Sequence, residues 1–169
     1  MNPMREVRIE KVVLNIGVGE GGDRLANAER ILKEITGRNP IRTLAKKTVR
    51  EWNIKRGAPI GCKVTLRGKI AEEVLDRLLY AVDRRIKASS FDDKGNFSFG
   101  IKEHIDIPGC KYNPEVGIFG LDVCVSLCRP GYRIRDRKRL ARAIPKSHRV
   151  TKEEAIEFIS KKFNVKVVD

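Results

Sequence analysis

The stretch IGCKVTLR, residues 60–67, alternates apolar and polar side chains. Successive side chains on an extended chain point to opposite faces. Ile60, Cys62, Val64 and Leu66 therefore fall on one face, and Lys63, Thr65 and Arg67 on the other. That is the pattern of a strand buried on one side only. Gly68 ends it. The same alternation occurs in KVVLNIGVG, residues 11–19: Val12, Leu14, Ile16 and Val18 on one face, Val13, Asn15 and Gly17 on the other. It returns in residues 96–102 through Phe97, Phe99 and Ile101, and in residues 118–128 through Leu121, Val123, Val125 and Leu127.

Helical spacing separates these strands. Residues 23–36 carry Leu25, Ala28, Leu32 and Ile35 on one stripe, with Gly37 placed as the C-terminal cap. Residues 69–86 carry a broad apolar face from Ile70 to Ile86. Pro40 opens a short strand, residues 41–44, and a basic connector, residues 45–59, leads into the strand at 60 through the turn signal Arg56-Gly57-Ala58-Pro59. Residues 92–95 read as a turn and 108–117 as a loop with two Pro and two Gly. Residues 129–150 have little apolar periodicity and read as a basic arm ordered by its partner. Thr151, with Glu154 three residues on, is a capping box for a last helix with Ala155, Ile159 and Phe163 on its apolar stripe. Runs of adjacent strands predict an α+β fold: an antiparallel sheet with helices packed on one face, plus the arm and the C-terminal helix. The whole of residues 1–169 reads as one domain, and the other sheet face is left for a partner.

Charge is concentrated. Residues 38–67 carry nine Lys or Arg against Glu51 alone, and residues 129–150 carry nine against Asp136 alone. Each block is +8, and the other 117 residues sum to −2 of the chain's +14. A solvated surface would interleave signs, whereas concentrated cations gain affinity by releasing counterions from phosphates. The expected partner is RNA, with Asn15, Lys63, Thr65 and Arg67 presenting amide, hydroxyl and cationic groups from a rigid sheet. The same positions would also serve as ordinary solvent-facing strand residues. Trp52, within the connector, either anchors that loop or stacks on a base.

Other chemistries find little support. GVGEGG, residues 17–22, matches the dinucleotide fingerprint, but no acid follows the next strand, Glu20 would repel a pyrophosphate, and strand-helix crossovers are too few for a parallel sheet. The bland reading is a tight strand-to-helix turn. No Ser, Cys or His has a partner at a diagnostic spacing, so no enzyme is expected. Cys62, Cys110, Cys124 and Cys128 form no Cys-x-x-Cys pair and read as buried reduced thiols, with no metal or cofactor. Glu72 and Glu73 read as solvated. No stretch approaches the roughly 18 apolar residues of a membrane span, and residues 1–8 resemble no targeting segment, so the reading is cytoplasmic.

Four runs, KVVLNIGVGE, EITGRNPIRTLAKKTV, RGAPIGCKVTLRG and GNFSFGIKEHIDIPG, together resemble the universal family of large-subunit ribosomal protein number five, which binds 5S rRNA. The resemblance covers residues 7–128 and continues through the arm in archaeal and eukaryotic members. It implies a structural protein of the central protuberance in the cytoplasmic ribosome, bound to 5S rRNA and large-subunit rRNA beside other ribosomal proteins. By that resemblance Asn15, Arg38, Asn39, Thr43, Lys46, Lys47, Lys63, Thr65 and Arg67 face rRNA. Residues 52–59, with Trp52, Lys55, Arg56 and Gly57, reach the peptidyl-site tRNA. Residues 104–115, with His104, Asp106, Lys111 and Asn113, bridge to protein thirteen of the small-subunit head. The arm, with Arg133, Arg135, Arg137, Lys138, Arg139 and Arg142, contacts large-subunit rRNA or the tRNA side. Bacterial members carry a longer N-terminal extension and lack the arm, so the resemblance is to the archaeal type. The alternative is an RNA chaperone or annealing protein acting off the ribosome.

The chain has no Gln, and 34% of its residues are charged, a pattern of heat-stable proteins. Its melting temperature, read by calorimetry, is expected to lie above the roughly 45–65 °C of mesophile domains.

Overall fold

A computed structural model describes residues 2–168. Strand β1 (Arg8–Gly17) is central in a five-stranded sheet. It pairs antiparallel with β3 (Pro59–Leu66) on one side and β6 (Leu121–Cys128) on the other. Beyond these, β2 (Ile41–Leu44) pairs with β3 and β5 (Phe97–Ile101) pairs with β6, giving the order β2-β3-β1-β6-β5, antiparallel throughout. Residues of β1 alternate as read: Val12, Leu14 and Ile16 are 0–1% exposed. Burying each of these contributes about 1.5–3 kcal/mol. β1 begins three residues earlier than its pattern suggests and ends at Gly17, because the N–H groups of Val18 and Gly19 both turn to the Ile60 carbonyl, at 2.9 and 2.8 Å.

Helix α1 (Asp23–Thr36) packs on β3 and α2 (Lys69–Ala81) on β1. Gly37 caps α1 in the left-handed conformation, its N–H donating to the Lys33 carbonyl. Arg77 of α2 donates to the α1 carbonyl of Ile35 at 2.6 Å, so one helix satisfies an orphan group of the other. Helix α4 (Lys152–Phe163) opens on Thr151 with both halves of the capping box formed. Its Ala155, Ile159 and Phe163 enter the same apolar cluster as the sheet and the first two helices. The apolar faces of β1, β3, β5 and β6 thus point to one layer of helices.

Two expectations need correction. The helix over residues 69–86 stops at Ala81. Asp83 and Arg84 take left-handed φ of 54° and 53°, and the Arg84 N–H returns to the Leu79 carbonyl at 2.9 Å. Ile86 is buried all the same, but from β4 (Arg85–Lys87). This strand pairs in parallel with β7 (Lys166–Val168), which the sequence pattern did not reveal. Three-residue strands are too short to show a period, and Ile86 happened to continue the helical one. Glu72 is also not merely solvated, since it meets Lys162 at 2.6 Å and ties α2 to α4.

Gly61 shows how tightly β3 meets its neighbours. A Cβ there would stand 2.8 Å from the Ile16 carbonyl oxygen and 2.9 Å from the Thr43 hydroxyl, whereas one at Gly17 would meet nothing. Gly61→Ala is expected to lower the stability by about 1–3 kcal/mol, and Gly17→Ala to leave it equal or higher, in urea unfolding.

Candidate nucleic-acid interface

The helix-free face of the sheet can be read row by row from the register. Thr65, Val13, Cys124 and Ser98 lie side by side across four strands. The next row is Ile41, Lys63, Asn15, Asp122 and Gly100, and a third is Thr43, Gly61 and Gly17. Lys63 and Thr65 are exposed, and Asn15 and Thr43 half-exposed. Four residues expected on one surface are therefore on it. The face is graded, cationic on β3 and polar to acidic on β6, where Asp122 stands. The alternation that flagged Lys63 and Thr65 also marked Asp122, Cys124 and Ser126, which the sequence reading did not use.

The register also decides which end of the sheet each segment reaches. Gly17, Gly61, Ile101 and Leu121 share one end. The 45–58 connector and the 102–120 loop leave from there. The opposite end holds Arg8, Leu66, the start of β2 and the end of β6, with the arm beyond it. The basic block 38–67 is consequently split. Arg38 and Asn39 join Lys63, Thr65 and Arg67 around a groove of 680 Å³ at the arm end, floored by Val64, Leu66 and Ile70. Lys46, Lys47, Lys55 and Arg56 are exposed at the other end. Within the block, Arg42 pairs with Glu29 at 2.5 Å and Arg67 approaches Glu10 at 4.0 Å. Among the described residues the other seven cations form no ion pair. Such charges are kept for a partner or for solvent.

The connector has its own frame. Val49 and Ile54 exchange backbone hydrogen bonds at 2.8 and 3.0 Å, closing a tight turn in which Asn53 has φ 52°. Thr48 accepts from the Arg56 N–H, and Gly57, at φ 85°, donates to the Ala45 carbonyl. Trp52 sits at the tip, 71% exposed. Of its two readings, loop anchor is excluded, because backbone bonds hold the loop without it.

The other loop divides. Asp106, Lys111 and Asn113 are exposed, and the Asn113 carboxamide accepts from the Glu115 N–H at 3.0 Å. His104 does not join them. It is 3% exposed, its Nδ1 accepts from the Phe119 N–H, and its own N–H donates to the Phe119 carbonyl. A histidine that opens a short 3-10 turn gave no sign in sequence of that reciprocal pairing. It fastens the loop rather than serving its rim.

The arm is more built than expected. Its first residue, Arg129, is 6% exposed and meets Glu154 of α4 at 2.5 Å. The Tyr132 hydroxyl accepts from the Val150 N–H at 2.9 Å, and His148 Nε2 meets the Pro130 carbonyl at 2.9 Å. Ile144 and Val150 are buried. Scattered anchors, not a period, close the loop on itself, which is why it read as unscaffolded. Between them, helix α3 (Arg133–Asp136) and the residues to Arg142 stay exposed. That leaves Arg133, Arg137, Lys138, Arg139 and Arg142 without carboxylate partners among the described residues, while Arg135 is held by Asp136 at 2.9 Å.

The cysteines need a correction. Cys62 is buried in the core, but Cys124 is exposed on the helix-free face, because its parity is opposite to that of Val123 and Val125. Burial pushes the Cys62 thiol up to about 11, with Glu29 adding to it. Partial desolvation and then Asp122 raise Cys124 as well. Among the described residues no three metal-ligating side chains cluster, and no helix is long and apolar enough to cross a membrane. The glycines of residues 17–22 serve the turn into α1, with Gly19 and Gly22 at φ 83° and 91°.

Comparison with known proteins covers nearly the whole chain. Residues 2–55 match the family described as ribosomal protein L5, and residues 59–165 match the model of that ribosomal family's C-terminus. The large ribosomal subunit protein uL5 of Sulfurisphaera tokodaii is 58% identical, over all of this chain and 96% of its own length. That of Sulfolobus acidocaldarius is 53% identical over 99% of this chain and 94% of its own. That of Methanosphaera stadtmanae is 48% identical over 99% of both.

Geometry and thiol chemistry together order the cysteines. In the folded protein a maleimide is expected to label Cys124 first, faster as pH rises and thiolate forms. Cys62 should stay unlabelled until denaturant is added. Peptide mapping reads both, and early labelling of Cys62 would contradict its burial.

Proposed function

This chain belongs to the ribosomal protein L5 family, and on that premise we propose that it binds 5S rRNA in the central protuberance of the large ribosomal subunit. It is a structural constituent of the cytoplasmic ribosome, of the archaeal type, and its work is binding, not catalysis. Residues 1–169 act as one RNA-binding unit. The observation that carries this reading is the helix-free face, where Lys63, Thr65 and Asn15 stand beside a groove in which Arg38 and Lys63 form no ion pair among the described residues. A rigid sheet holds those groups at fixed spacing, which suits phosphates and 2′-hydroxyls of a folded RNA. The face lacks exposed aromatics in its rows, so it favours shape over the stacking of single-stranded bases.

The two loops at the far end of the sheet serve two further partners. Trp52, Lys55, Arg56 and Gly57 contact the peptidyl-site tRNA. An exposed indole with two cations beside it suits stacking together with phosphate contact. Asp106, Lys111 and Asn113 contact protein thirteen of the small subunit across the bridge. The Asn27 carboxamide supports this loop by donating to the Glu115 carbonyl at 3.3 Å. Arg133, Arg137, Lys138, Arg139 and Arg142 of the arm contact large-subunit rRNA. Other proteins of the central protuberance pack around these surfaces.

Binding to 5S rRNA and to an unrelated duplex across a salt series tests the reading. A large preference for 5S rRNA is expected to persist as salt rises. Lys63→Ala should reduce the log-log salt slope by about one, and Thr65→Ala should cost about 1 kcal/mol through a lost hydrogen bond. Trp52→Ala should leave 5S rRNA affinity unchanged, since it sits at the other end of the sheet. Equal binding of both RNAs, with no co-sedimentation with large subunits, would point instead to a general RNA chaperone.

A further inference from the structure

Where the arm folds back, it encloses a cleft of 330 Å³ against the sheet. Its walls come from separate parts of the chain: Lys11 on β1, Lys94 and Asn96 from the turn before β5, Ser126 on β6, and Arg135 and Arg149 from the arm. Glu10 is the one carboxylate among the lining side chains. It is drawn toward Arg67 and Arg135, at 4.0 Å from each. Arg135 gives its Nε and one terminal nitrogen to Asp136. Arg149 is steadied through its Nε by the Ile144 carbonyl at 3.1 Å, and its other side-chain nitrogens form no hydrogen bond among the described residues. Lys11 and Lys94 form no ion pair among the described residues. Three cations with no ion pair among the described residues and the Ser126 hydroxyl thus converge on this space, beside the Asn96 carboxamide, whose nitrogen already donates to Asp92 at 2.9 Å. The cleft has room for a sugar-phosphate unit and not for a duplex.

The cleft also has a position that matters. Glu10 is the extra residue of a bulge, since Ile9 pairs with Leu127 and Lys11 already with Ser126. The bulge brings the Glu10 carboxylate between Arg67, at the end of the β3 groove, and Arg135, on the arm. The two basic blocks, far apart along the chain, meet there.

We propose that this cleft is a phosphate-binding subsite for an rRNA backbone, and that through it a single RNA strand passes from the β3 groove onto the arm. The proposal rests on the RNA-binding reading of the sheet. Phosphate is the chemistry the site takes: cations and the Ser126 hydroxyl surround it, and the Glu10 carboxylate stands 4.0 Å from each of two guanidiniums. Lys11, Lys94 and Ser126 hold the phosphate, and Tyr132, tied to Val150, is a positioning residue that keeps the arm wall in place.

Salt-dependent binding by the full chain tests it, with 5S rRNA and 5S-free large-subunit rRNA as the two probes. Lys11→Ala with Lys94→Ala is expected to lower the salt slope by about two on at least one probe. Ser126→Phe, which fills the cleft without removing charge, should weaken the same complex about tenfold or more. Unchanged slopes on both probes, with Lys63→Ala still lowering its own by about one, would overturn the cleft while leaving the sheet face intact. Unchanged binding by Ser126→Phe with a lowered slope in the lysine variant would also overturn it, reducing the lysines to loose surface charge. Loss of the Lys63 effect as well would overturn the underlying RNA-binding reading. Circular dichroism and the melting temperature separate these outcomes from misfolding.

Discussion

The structure depends on β1 being paired on both sides. Val12, Leu14 and Ile16 are sealed from water only because β3 and β6 flank them and two helices close over them. That burial sets the parity of the whole sheet. A slip of one residue would turn the apolar set outward and the Asn15 row inward. The antiparallel pairings then carry parity from strand to strand. Lys63 faces outward because Asn15 does, and Cys124 because Val13 does. The candidate interface is thus the complement of the core, without a separate device to build it.

The ends of the sheet impose a second order on the charges. Along the chain, the cations form two blocks, 38–67 and 129–150. In space they form different groups. β2 and β3 run in opposite directions, so the first block leaves the groove end, turns at the Trp52 tip and returns. Arg38, Lys63 and Arg67 end toward the arm, while Lys46, Lys47, Lys55 and Arg56 lie at the end of the sheet from which the 102–120 loop also leaves. The unit that a partner meets is therefore half of one block joined to the other, with Glu10 at the seam.

Much of the interface was legible because it follows from alternation. The outward positions of Asn15, Lys63 and Thr65, the caps at Gly37 and Thr151, and the two long helices all carry local signals. The family resemblance extended these to Arg38, Asn39 and Thr43, which line or adjoin the same surface. What escaped had no local signal. His104 is consumed by Phe119, fifteen residues later. Arg129 lies in a basic run like its neighbours, yet it is buried by an acid 25 residues on. Trp52 could have served as loop anchor or base contact, and only the backbone bonds between Val49 and Ile54 show that the loop closes without it.

The amino-acid sequence by itself determined the fold class, the apolar faces and the chain's strongly cationic balance. Periodicity and composition are local or additive properties, and no partner is needed to read them. The tertiary structure alone decided which cations stand together, which thiol is open and how the arm is held. Those outcomes depend on strand direction, on one bulge and on contacts between distant residues. The two basic segments therefore look independent along the chain, and become neighbours only once β1 is in place.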